Sequence, residues 1–165
     1  MKKGLVKNKI SMTFQNGSVG FSRLHIAAKF GHIQTCMEIL GKNPEDKNPL
    51  TNDGISPLHL AAENGHFRIC EMLLESGIED KNPRGRLGLT PLHLAAREGH
   101  LDICKLFVRE LALRLKDSNP KCDKGWNPLQ HAAINNQGHI CQFLKNFMNR
   151  PKIVLNRPIS QVIDV

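Results

Sequence analysis

A chain of 165 residues with 40% hydrophobic and 23% charged residues has the size and composition of one globular domain. No apolar run approaches the roughly 18 residues that a membrane-spanning helix needs, and the most apolar stretch, Leu106 to Leu115, is broken by Arg109, Glu110 and Arg114; no membrane insertion is expected. The net charge of +8 gathers at the ends, because residues 1–20 hold Lys2, Lys3, Lys7 and Lys9 without an acid while residues 21–126 are nearly neutral.

Residues 1–20 carry no apolar stretch behind their lysines, so they do not read as a secretory signal. The Asn16-Gly17-Ser18 sequon is then a chance match. This segment is expected to be a basic N-terminal arm or cap. Such an arm can meet nucleic acid or an acidic membrane surface, but a solvated tail is the plainer reading.

From residue 21 the chain repeats itself. Ser22-Arg23-Leu24-His25-Ile26-Ala27-Ala28 returns as Ser56-Pro57-Leu58-His59-Leu60-Ala61-Ala62. It returns again as Thr90-Pro91-Leu92-His93-Leu94-Ala95-Ala96 and as Asn127-Pro128-Leu129-Gln130-His131-Ala132-Ala133. The leucines lie 34, 34 and 37 residues apart. Gly31-His32, Gly65-His66 and Gly99-His100 keep the same phase, and so do Cys36, Cys70, Cys104 and Cys141. Four units follow, near 21–54, 55–88, 89–125 and 126–150, with residues 151–165 left as a C-terminal tail or truncated cap.

Each unit spells out a helix pair. Ser22, Ser56, Thr90 and Asn127 are N-cap residues, and proline suits the position after a cap. The paired alanines allow a neighbouring helix to approach closely. Gly65 supplies the left-handed residue that ends the first helix. Ile69, Cys70, Leu73 and Leu74 then make the buried stripe of a second helix, and Gly77 stops it. Residues 79–89, rich in Asn, Pro and Gly, turn the chain into the next unit. The third unit lacks the stop glycine and runs on through Phe107-Val108-Arg109-Glu110-Leu111, which reads as nearly one more helical turn. In the fourth, Asn136 takes the place of the turn glycine and is the next-best residue for a left-handed backbone. One such unit cannot bury its own apolar face, so the units must stack.

These blocks resemble the T-P-L-H-x-A-A…G-H pattern of the ankyrin family, in phase from residue 21 to 149. The resemblance implies an all-α ankyrin-repeat solenoid of stacked antiparallel helix pairs with projecting hairpin-like turns. It also implies that His25, His59 and His93 anchor the turns through hydrogen bonds.

No C-x-x-C or H-E-x-x-H spacing brings metal ligands together, so no metal and no cofactor is expected. Neither a phosphate-binding glycine loop nor a G-x-S-x-G elbow occurs, and no catalytic activity is expected. Stacked helices lie roughly 8–10 Å apart, too far for the cysteine column to form disulfides. Free core thiols point to a reducing compartment, the cytosol or nucleus. Cys122 falls in a turn and is expected to be the exposed, reactive thiol.

The candidate binding surface follows the turn glycines. Phe21, Ile55, Leu89 and Trp126 each come directly after one, at a position that in the family is variable and faces the concave, hairpin side. They would form an apolar ladder, widened by Val19 and Leu87. Lys29, Phe30, Glu63, Asn64, Arg97, Glu98, Ile134 and Asn135 would flank it. The resulting expectation is a monomeric, non-catalytic module that binds a protein partner on this face as adaptor, scaffold or stoichiometric inhibitor. The alternative is a nucleic-acid- or chromatin-associated factor that uses the basic ends. Asn48, Asn82 and Asn119 resemble the asparagines hydroxylated in some ankyrin proteins, but the usual preceding valine is replaced by Lys47, Lys81 and Ser118. An asparagine that bonds its own turn is the simpler expectation there.

Overall fold

The computed structural model describes residues 20–42, 47–114 and 119–148. The arm at 1–19, with Val19, and the tail at 151–165 lie outside the described residues. Among the described residues eight α-helices make four pairs: α1 (Arg23–Phe30) with α2 (Ile33–Lys42), α3 (Pro57–Glu63) with α4 (Phe67–Glu75), α5 (Pro91–Glu98) with α6 (Leu101–Arg114), and α7 (Pro128–Ile134) with α8 (Gly138–Met148). No strand occurs among the described residues. The first helices α1, α3, α5 and α7 pack in one row, and α2, α4, α6 and α8 in a second.

Local chemistry sets these boundaries. Ser22, Ser56, Thr90 and Asn127 each cap a first helix, with the third helical residue reaching back to the cap backbone. That residue is His25, His59, His93 or Gln130, so a histidine does what glutamate does in the usual capping box. Gly65 turns left-handed at φ 78° after α3, and a Cβ there would stand 2.7 Å from the His100 ring. The fourth turn is left-handed at Asn136, with φ 59°.

Small side chains hold the first row together. Ala27, Ala28, Ala61, Ala62, Ala95, Ala96 and Ala132 are all at most 2% exposed. Leu24, Leu58 and Leu92 fill the space between the rows. Full burial of one such leucine stabilises by about 1.5–3 kcal/mol. Leu129, their equivalent in the fourth unit, is only half-buried. It lies at a recess lined by Leu92, Val108, Asn119, Leu144 and Phe147.

In the second row Ile69, Cys70, Leu73 and Leu74 are buried, and Ile103, Cys104, Phe107 and Val108 repeat that spacing one unit on. The third second-row helix has 14 residues against the 9 of α4, which is the extension that the missing stop glycine allows.

The five cysteines are unpaired. Burial pushes the Cys36 thiol up to about 11 and those of Cys70 and Cys104 to about 12, which leaves almost no thiolate at neutral pH. Thiol titration of freshly purified protein in denaturant is expected to find all five free, with the three core thiols slow to react before unfolding. A disulfide between any two of Cys36, Cys70, Cys104 and Cys141 would contradict the stacking geometry.

Candidate partner-binding site

The hairpins are built on one carbonyl per unit. Thr51 N–H donates to Ile55 O at 2.9 Å, Gly85 N–H to Leu89 O at 2.8 Å, and Cys122 N–H to Trp126 O at 2.9 Å. The same three carbonyls accept a second bond from the preceding unit: His25 Nε2 reaches Ile55 O at 3.0 Å, His59 reaches Leu89 O at 3.1 Å, and His93 reaches Trp126 O at 3.1 Å. The tautomer follows from the other ring nitrogen. The backbone N–H groups of Ser22, Ser56 and Thr90 donate to Nδ1 at 3.0–3.2 Å, so Nδ1 is bare and Nε2 carries the proton. Each neutral imidazole therefore caps its own helix and holds the next hairpin.

A second set reaches backward. His66 Nε2 bonds Lys29 O at 3.0 Å and His100 Nε2 bonds Glu63 O at 3.1 Å. In the fourth unit Gln137 does this to Arg97 O at 3.4 Å. These histidines too have structural work. Burial is the main cause that holds His59 and His93 down to about 4, against an ordinary 6.5, and it outweighs the bonds to Leu89 O and Trp126 O.

Three of the four ladder residues, Ile55, Leu89 and Trp126, own these anchored carbonyls. Phe21, Ile55, Leu89 and Trp126 are each half-buried, so they neither stand clear of the helix layers nor belong to the core. Rings of the first helices cover two of them. Phe21 meets His25 edge-on, with centroids 5.4 Å apart, and Trp126 meets His131 at 5.6 Å. Lys124 Nζ lies 5.5 Å from the Trp126 ring centroid, in cation–π range. Around the ladder, Phe30 is 61% exposed, Leu87 59% and Ile134 60%. Asn64 is exposed and turns its amide onto Leu60 O at 2.8 Å. Arg97 is engaged by Glu63 and Glu98, both at 2.6 Å.

Cys122 is a correction. It is 6% exposed rather than open to solvent. His131 from α7 covers it, with Nε2 3.5 Å from Sγ. The distance suits a nucleophile and its base, but the thiol is buried. Burial, with Arg97 and Lys124 nearby, lowers the His131 pKa, so the ring is neutral at about pH 7 and shares one hydrogen bond with the thiol. Nothing in the turn sequence alone points to this cover; the signal was His131 beside Gln130, a histidine one position past the place where the other units carry theirs.

Two further features escape the sequence reading. Leu87 has φ 58°, although it is a bulky non-glycine residue. Ile33, Met37 and Leu50 are exposed outside the ladder. Of the three asparagines, Asn82 Oδ1 lies 3.5 Å from the backbone N–H of Leu92, and its own N–H bonds Asp80 at 3.0 Å. Asn48 Oδ1 is buried without a partner among the described residues, and Asn119 lines the recess beside Leu129. Among the described residues no group of three or more His, Cys, Asp or Glu could hold a metal ion, and no helix is long and apolar enough to cross a membrane.

A family model described as ankyrin repeats matches the chain in three copies, over residues 3–84, 24–118 and 78–156. No curated protein matches it.

Proposed function

The chain belongs to the ankyrin-repeat family, and we propose that it works as a non-catalytic module that grips a protein partner on its concave, hairpin and first-helix face. One observation carries the reading: Phe30, Leu87 and Ile134 stay about three-fifths exposed on the hairpin turns and first helices beside four half-buried apolar rungs. Exposed apolar side chains gathered on one side and rimmed by charge mark interaction surfaces. An adaptor, a scaffold and a stoichiometric inhibitor would all use such a face. The unpaired cysteines support a reducing compartment, cytosol or nucleus.

Trp126 is the rung with the largest expected contribution, since aromatic side chains dominate binding hot spots. Trp126→Ala is expected to weaken partner binding by at least ~2 kcal/mol, with a smaller loss of stability. Affinity capture with the wild-type chain, and with Trp126→Ala and Leu89→Ala as paired negatives, checks it. A partner retained by both variants while they stay folded would move the interface elsewhere.

A further inference from the structure

We propose that the partner segment is an acidic peptide with one large apolar anchor, seated over the third and fourth hairpins between Leu87 and Trp126. This deepens the concave-face reading and rests on it.

The two hairpins form one continuous surface. Asp123 N–H donates to Leu87 O at 3.0 Å. Arg84 spans the gap to Lys121 O at 2.6 Å and to Asp123 at 3.2 Å. Gly88 permits this contact, because a Cβ there would stand 2.2 Å from Asp123 Oδ1. The joined surface carries Arg84, Arg86, Lys121 and Lys124, all exposed, against the single carboxylate of Asp123, which already faces Arg84. The second hairpin differs: residues 51–55 include Asp53 and no basic residue. The cationic character is therefore local, and it brackets the exposed Leu87 and the half-buried Trp126. Charge of one sign around an apolar anchor selects a partner of the opposite sign and speeds its approach.

Leu87 gives an independent pointer. In the turn from Arg86 to Leu89, Leu87 and Gly88 are both left-handed, at φ 58° and 65°. Such turns favour Asn-Gly or Gly-Gly. A leucine there is strained, and it spends the strain on an exposed position. Backbone strain that persists without a packing reason marks a functional position. The register equivalents one unit away are Asp53 and Lys124, neither of them apolar.

A nucleic acid would also meet cations and an aromatic ring. Base stacking needs an open π-face, whereas Trp126 has an ammonium near one face and His131 against it. A peptide anchor needs only the ring edge and the neighbouring leucine.

The test is selection of a random peptide-display library on the full chain, followed by anisotropy titration of the enriched peptides. The expected consensus has two or more Asp or Glu flanking one aromatic or large aliphatic residue. Affinity is expected to fall about 30-fold in Trp126→Ala and about tenfold in Leu87→Asn and in the double reversal Arg86→Glu/Lys124→Glu. Leu87→Asn should at the same time melt about 3 °C higher, as relief of turn strain requires. A neutral or basic consensus that still needs Trp126 overturns this inference and leaves the concave-face reading standing. Peptides indifferent to Trp126, Phe30 and Ile134, or no enriched peptide at all, overturn both. Tight binding of a single-stranded oligonucleotide with a steep salt dependence, lost in the charge-reversed variant, overturns the peptide assignment in favour of nucleic acid.

Discussion

Acidification from about pH 7.5 to about pH 4.5 is expected to remove about 5 kcal/mol of folding stability through His59 and His93 together. Both rings are at most 2% exposed, and burial holds both near 4 in the folded chain against an ordinary 6.5. The folded state therefore prefers them neutral, while the unfolded chain takes up protons as soon as the pH falls below about 6.5. Their stabilisation is complete above that value and is lost progressively down to about pH 4, with no further loss from them below it. The bare Nδ1 adds to the effect of burial. A second proton there meets the cap N–H of Ser56 or Thr90, so the helix start and the hold on the next hairpin fail together. A loss of this size is comparable with the whole stability of an ordinary domain. Urea denaturation across this pH range measures it, with His93→Gln as control. Gln130 already plays the glutamine part in the fourth unit, where its Oε1 accepts from Asn127 N–H at 2.9 Å. The variant should be weaker at neutral pH, having lost its bond to Trp126 O, but its pH profile should be shallower. A profile parallel to the wild type would show that His93 is not the titrating group.

Leu92→Ala is expected to cost about 2–5 kcal/mol, the range for large-to-small changes in a packed core. Leu92 is 2% exposed. It sits on α5, which packs against α3 on one side, α7 on the other and α6 behind, so the cavity would open among three helices that cannot all close on it. Leu129→Ala, at the half-buried equivalent one unit on, should cost less. Chemical denaturation of both variants separates the two. A Leu92 loss below about 1 kcal/mol would place that residue outside the shared core.

The fold was legible because its instructions recur. Ser22, Ser56, Thr90 and Asn127 announce helix starts by their own chemistry, and the alanine pairs announce close packing between first helices. The cysteine column was legible for the same reason, as a set of small core side chains at one phase. What escaped depends on contacts between units. Cys122 sits in a glycine-bearing turn and reads as open, yet His131, nine residues on, folds back over it. Trp126 and Phe21 read as outward rungs, yet ring contacts with His131 and His25 cover part of each. The sequence Leu87-Gly88 reads as another apolar rung before a turn; only the backbone shows that the leucine itself is left-handed.

The reciprocal histidine links also set how tightly neighbouring units are coupled. A linear repeat array behaves as a one-dimensional lattice, in which intrinsic unit stability adds to nearest-neighbour terms. The first two junctions each carry a forward and a backward histidine bond of 3.0–3.1 Å. The third keeps the forward bond from His93, but its backward links from Gln137 and His139 stretch to 3.4 and 3.3 Å. The fourth unit also buries only Pro128 and Ala132 of α7, where α5 buries six residues. Its first helix is thus the less buried of the two, and it is the one that follows Trp126. A partner held at Trp126, as proposed above, would add its contacts to this terminal unit, so binding would be expected to raise the stability of that end of the array.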